Sequence, residues 1–215
     1  MDLSTFLAFL AAAALISLVP GPDMMFVAAH GMAKGPKAGV VAALGMSTGL
    51  AVHTVAAASG LGVLLQAAPA VLDAVRLLGA AFLLYLAWST LRSARERVKS
   101  EADPALGAAA ARPLRKTYVM AVLTNLANPK VVLFYLAFFP QFVAVDGSMP
   151  VWAQFLVLGA AFIVVGFAVD GSVGLATGTL SALLLRRPSV QRWLDRISAA
   201  IFAGLAARLV ADQAR

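Results

Sequence analysis

The sequence predicts an all-α polytopic membrane protein: six transmembrane helices arranged as an inverted 3+3 repeat, with helices 1 and 4 broken. Three observations carry that expectation. Of the 215 residues 61% are hydrophobic and 13% charged, against roughly 45–50% and 25% in a soluble domain. The apolar residues form near-continuous stretches, and the basic residues fall between those stretches. Two of the stretches are interrupted by proline motifs, one in each half of the chain.

Taken in order, the stretches run about Thr5–Ala33, Ala38–Leu65, Ala70–Leu91, Thr117–Val143, Val151–Leu185 and Trp193–Val210. Each is long enough for a helical span, which needs about 20 residues. A membrane β-barrel instead needs segments of about 10 residues with strict alternation, and these runs are apolar on every face. Met1-Asp2-Leu3-Ser4 contains no Lys or Arg, so the first stretch is not expected to be a cleaved signal.

The loops alternate in charge. Lys34 and Lys37 follow span 1, Arg76 alone lies near the span 2–3 turn, and Arg92, Arg95, Arg97, Lys99, Arg112, Arg115 and Lys116 follow span 3. No basic residue separates spans 4 and 5, whereas Arg186, Arg187 and Arg192 follow span 5. The alternation predicts loops 1, 3 and 5 in the cytoplasm and both termini outside. Arg208 and Arg215 oppose it at the C-terminal end, where a last segment lying on the membrane surface is the alternative.

The whole chain, 1–215, is expected to be one transmembrane domain. Residues 1–91 form a first three-helix half, 92–116 a cytoplasmic linker suited to anionic lipid headgroups, and 117–215 a second half. Three spans per half would invert the second half relative to the first. The formal charge of +7 is not read as nucleic-acid binding, because the basic residues sit in loops between membrane segments.

Span 1 is interrupted at Pro20-Gly21-Pro22-Asp23 and span 4 at Asn125-Leu126-Ala127-Asn128-Pro129-Lys130. Pro20 and Pro22 offer no N–H to the carbonyls of Ile16 and Leu18, and Pro129 offers none to Asn125, so each helix must break. Irregular backbone at membrane depth survives only where protein or water satisfies it. Two facing breaks would present half-helix ends to one site. The N-terminus of the helix after Asp23 suits a carboxylate, and the freed carbonyls suit an ammonium. Asp23 is the first candidate for a proton or a substrate ammonium; a plain proline kink with Asp23 as helix cap is the alternative.

The motifs Pro20-Gly21-Pro22-Asp23, Gly35-Pro36-Lys37-Ala38-Gly39, Gly45-Met46-Ser47-Thr48-Gly49 with His53, and Asn128-Pro129-Lys130 with Phe134 and Phe139-Pro140-Gln141-Phe142 resemble the LysE/RhtB family of amino-acid exporters. The resemblance covers nearly the whole chain and is weakest over Arg92–Arg115 and the last span. It implies a proton-driven secondary exporter of amino acids or close derivatives, homoserine/threonine-type neutral or basic, in a bacterial inner membrane. Some members carry an acidic or polar residue right after the second of the paired glycines, where this chain has Leu50; the resemblance leaves neutral against basic substrates open.

Two further polar residues fall within spans. His53 is expected to bond across a helix interface or to take part in proton-linked transport. Asp170, in span 5, must be protonated, paired with Lys130, or facing water. Gly45 with Gly49 and Gly174 with Gly178 have the spacing that brings helices close, within the chain or across a homodimer. Gly35-Pro36 reads as a turn that closes one helix and opens the next.

The chain has no Cys, which excludes disulfides and thiolate chemistry. It has no phosphate-binding loop or dinucleotide motif, and His30 and His53 are too far apart for a metal pair. No cofactor, no metal and no enzymatic activity are expected, since no nucleophile lies beside a base and no glutamate falls within a span. The remaining alternatives are an exporter of metal or other small cations, and a non-transporting membrane scaffold.

Overall fold

The computed structural model describes residues 2–67 and 113–179, together with the helical positions 77, 81, 84, 85, 88, 196, 200, 203, 204 and 207. Apart from those ten positions, the third and sixth expected spans lie outside the described residues, as does most of the linker. Among those residues six α-helices are found and no strand.

Helix α1, Leu3–Leu18, opens on an Asp2 cap whose carboxylate accepts the Thr5 N–H at 2.7 Å. That bond and the Ser4 hydroxyl hold the Asp2 carboxyl below the usual carboxylate range. The helix stops because Pro20 cannot donate to Ile16 and forces the preceding Val19 into extended backbone. Helix α2, Pro22–Lys34, begins with Pro22 at its first position and bends 55° from α1. Gly35 ends it with φ 83°, a left-handed conformation open to glycine, and its N–H bonds the Gly31 carbonyl at 2.8 Å. Pro36 then opens α3, Pro36–Ala67, so the turn expected there is present.

Helix α4, Leu114–Leu126, and the segment Pro129–Phe142, which opens with helix α5, Pro129–Leu133, are the two parts of the fourth span, bent by 45°. After α5 the ladder widens to a π-helical turn over Phe134–Phe138 and tightens to a 3₁₀ turn over Phe139–Phe142. The Phe139 N–H reaches the Phe134 carbonyl one residue before Pro140, which cannot continue an α-helix. The connection to α6, Val151–Thr179, is held by the buried Gln154 amide, which accepts the Ala144 N–H at 3.0 Å and donates to the Ala144 and Met149 carbonyls at 2.9 and 2.8 Å.

Of these elements, α3 over Pro36–Gly60 and α6 are each long and apolar enough to cross a membrane, and the bent pairs α1–α2 and α4–α5 reach that test as pairs. They correspond to the first, second, fourth and fifth spans expected from sequence.

Helix α3 packs most extensively against α6, then α4, while α2 also rests on α6. Two kinds of contact divide this core. Beside the Gly35 turn the helices meet backbone to backbone: a Cβ on Gly39 would lie 2.6 Å from the Gly174 Cα, and one on Gly178 would strike Pro36. At the opposite end Phe9, Phe134, Phe138, Phe139, Phe142, Phe155 and Phe162 interlock, with Phe9 edge-on to Phe139 at 4.9 Å and Phe134 against Phe162 at 4.8 Å. The paired glycines Gly45 and Gly49 meet Ala121 and Asn125 of α4. Both glycine pairs therefore serve packing within the chain.

Candidate functional site

The two breaks meet. Lys130, the second residue of α5, has its backbone N–H capped by the Asn128 side-chain oxygen at 3.1 Å. Its side chain crosses to the first span and is only 5% exposed. There Nζ lies 3.0 Å from the Asp23 carboxylate and donates to the Val19 carbonyl at 3.0 Å and the Ile16 carbonyl at 3.4 Å. The Ile16 carbonyl is the one that Pro20 leaves without a helical donor. The ammonium that the freed carbonyls were expected to attract is thus present in the protein itself.

Asp23 is the second residue of α2 and does not cap it; Gly21 occupies the cap position. The carboxylate gains from the helix N-terminus and from Lys130. Gly21 leaves room for this approach: a Cβ there would lie 2.7 Å from Asp23 Oδ1 and 3.1 Å from Lys130 Nζ and would push those side-chain tips aside. Pro22 starts the helix that carries Asp23, and Pro129 starts the one that carries Lys130.

Asp170 of α6, 8% exposed, lines the same cavity as Ile16, Ser17, Asp23, Leu50, Asn125, Lys130, Val131, Phe162 and Gly166. It makes no hydrogen bond or ion pair to another described residue. The partner of Lys130 is therefore Asp23, not Asp170, and Asp170 faces the cavity instead. The cavity offers about 20 Å³ to the centres of water molecules, room for one or two waters.

Buried polar atoms without a partner include Asp23 Oδ1, Asn125 Oδ1 and Asn128 Nδ2. A buried polar group left unsatisfied is costly, and these three belong to the two broken segments. The Asn125 carbonyl, expected to be free because of Pro129, instead accepts the Asn128 N–H at 3.0 Å through a tightened turn.

The family model for LysE type translocators matches residues 14–213. The chain belongs to the LysE type translocator family. Among its relatives, the leucine efflux protein of Klebsiella pneumoniae is 32% identical over 97% of this chain and 95% of its own length. The leucine efflux protein of an Enterobacter species is 31% identical over 95% and 94%, and a membrane protein of Vibrio cholerae without a stated function is 31% identical over 95% of both chains. No solved structure matches the chain significantly. Family membership and the apolar helices make this a multi-pass membrane protein and point to a transporter rather than an enzyme.

In this LysE type translocator His53 does not line the cavity. Its ring stacks on Tyr135 at 5.5 Å, and its Nε2 is buried without a partner. Sequence reasoning missed Tyr135 and Thr54. The Tyr135 hydroxyl donates to the Leu50 carbonyl at 3.1 Å and lies 2.7 Å from the Thr54 hydroxyl, joining the π-helical turn to α3. The available signal was a tyrosine inside an otherwise apolar aromatic run, since a buried phenol needs a partner.

Proposed function

We propose that this translocator exports a small neutral amino acid of the leucine kind from the bacterial cytoplasm across the inner membrane, in exchange for protons. The Asp23–Lys130 pair between the two broken helices, with Asp170 beside it, is the observation that carries the reading. A zwitterion presents one ammonium and one carboxylate 2–3 bonds apart, and this cluster offers a partner for each. Ile16, Leu50, Val131 and Phe162 give the cavity apolar walls for an aliphatic side chain. A bare metal cation is a poorer match, because the site already holds an ammonium. The leucine efflux relatives support the same class.

The cluster has two carboxylates and one ammonium. With both acids ionised it carries one uncompensated negative charge, which a proton or the substrate ammonium balances; alternate occupancy by the two is the basis for antiport. In our reading the 1–91 and 117–215 halves form the inverted 3+3 repeat, with the Gly35 turn cytoplasmic and the 143–150 connection outside. The loop cations then face anionic headgroups, and the aromatic block lies between the cavity and the outside. A cavity sized for water corresponds to a closed state, and substrate entry requires the halves to part.

Efflux from proteoliposomes loaded with a panel of amino acids tests the proposal. Leucine should leave fastest, and an imposed gradient that drives protons inward should accelerate its exit at least tenfold. No flux of any amino acid above protein-free vesicles would overturn the reading.

A further inference from the structure

Lys130 occupies the position that an incoming ammonium needs. Its Nζ has Asp23 and two backbone carbonyls of the first span as partners, at 3.0, 3.0 and 3.4 Å, the set that would otherwise receive a substrate ammonium. Asp170 faces the same cavity without a described partner, and Asp23 Oδ1 and Asn125 Oδ1 are buried and unpartnered. The lysine stem is long and flexible, with three rotatable donors on a point charge.

We propose that Lys130 is a tethered competitor for the substrate ammonium: it neutralises Asp23 while the carrier is empty and yields that carboxylate when substrate binds. The inference rests on the export reading above. In the loaded carrier the substrate ammonium takes Asp23, and the Lys130 ammonium turns to the substrate carboxylate. In the empty carrier Lys130 returns to Asp23, so the site does not carry two bare carboxylates through the apolar phase, a costly step. No bond is made or broken; the lysine moves between acceptors inside one cavity. Lys130 is thus a positioning and specificity residue: it excludes simple amines, which have no carboxylate to receive the displaced ammonium.

The test compares net leucine efflux with leucine–leucine exchange in proteoliposomes holding wild-type protein or Lys130→Gln. Net efflux requires the empty carrier to return, whereas exchange does not. The variant should lose at least tenfold more net efflux than exchange. Its exchange should also be inhibited by 3-methylbutylamine, leucine's amine counterpart, at concentrations at least tenfold lower than for wild type. A structural role for Lys130 predicts equal losses and no gain in amine sensitivity, and that result would overturn this inference alone. Absence of wild-type flux would overturn the export reading and this inference with it. If Lys130→Gln fails to accumulate in the membrane, Lys130→Arg decides the matter. A guanidinium binds a carboxylate through two parallel bonds and competes harder for Asp23, so the exchange KM for leucine should rise at least threefold. An unchanged KM would overturn the proposal.

Discussion

The Lys130 ammonium lies 3.0 Å from the Asp23 carboxylate, so the break in the first span and the break in the fourth are closed by one ion pair. Neither break is a simple kink. Each supplies one charge, and the lysine of the second reaches the Ile16 and Val19 carbonyls of the first. Removing either charge exposes the other to a low-dielectric interior, where a buried ion without its partner costs about 3–5 kcal/mol.

Asp23→Asn should therefore lower both stability and transport. The Lys130 ammonium would keep only the Val19 and Ile16 carbonyls, and detergent-solubilised protein should melt several degrees below wild type. The double variant Asp23→Asn/Lys130→Gln should recover most of that loss without recovering pH-driven export. Asp170→Asn leaves the ion pair intact, so its melting temperature should match wild type while pH-driven export falls. Full pH-driven export by Asp23→Asn would refute a role for Asp23 in coupling or binding.

Pro129→Ala restores a backbone donor at the second break. The 45° bend between α4 and α5 should relax, drawing Lys130 away from Asp23. Leucine export should fall more than tenfold at unchanged membrane level, measured by quantitative immunoblot alongside flux. Near-normal export would mean that the bend is incidental.

Gly39 and Gly174 leave no room for side chains. A Cβ on Gly39 would come 2.6 Å from the Gly174 Cα, and backbone cannot step aside as a side-chain tip can. Gly39→Val should force α3 from α6 and lower both melting temperature and membrane accumulation. Gly60, with nothing within 4 Å, is the control: Gly60→Ala should be neutral or slightly stabilising, since alanine is the better helix former by about 1 kcal/mol.

Orientation is tested with single cysteines in a chain that has none. Lys37 and Ser148 are both exposed and sit at opposite ends of the α3–α6 pair. In intact spheroplasts an impermeant thiol reagent should label Ser148→Cys and spare Lys37→Cys until the membrane is opened. The reverse pattern would invert the topology.

Much of this architecture was legible in the sequence because its causes are local. Pro20, Pro22 and Pro129 lack N–H groups wherever they stand, so the positions of both breaks follow from the chain alone. The Gly35-Pro36 turn and the small-residue packing of Gly174 and Gly178 follow in the same way. Pairing was not legible. Sequence leaves a pair with Lys130 as one of three situations open to Asp170, and the 55° and 45° bends bring Lys130 to Asp23 instead, a matter of tertiary angle that no spacing reveals. The Asn125 carbonyl was expected to be free, and a turn one residue tighter supplies it with a donor. His53 lies near the site in sequence pattern but stacks on Tyr135 and is not among the residues lining the cavity.

The glycine seam between α3 and α6 also bears on how the protein is made. Helix α3 leaves the ribosome long before α6 exists; at ~5–20 residues per second the intervening chain takes on the order of ten seconds. During that interval the bare Gly39 face, which later lies against Gly174, has no lasting neighbour. The first half is thus born without the helix that completes it, and a nascent chain stopped before Val151 is an orphan for quality control. Such a fragment calls for a holding chaperone or insertase rather than for spontaneous folding.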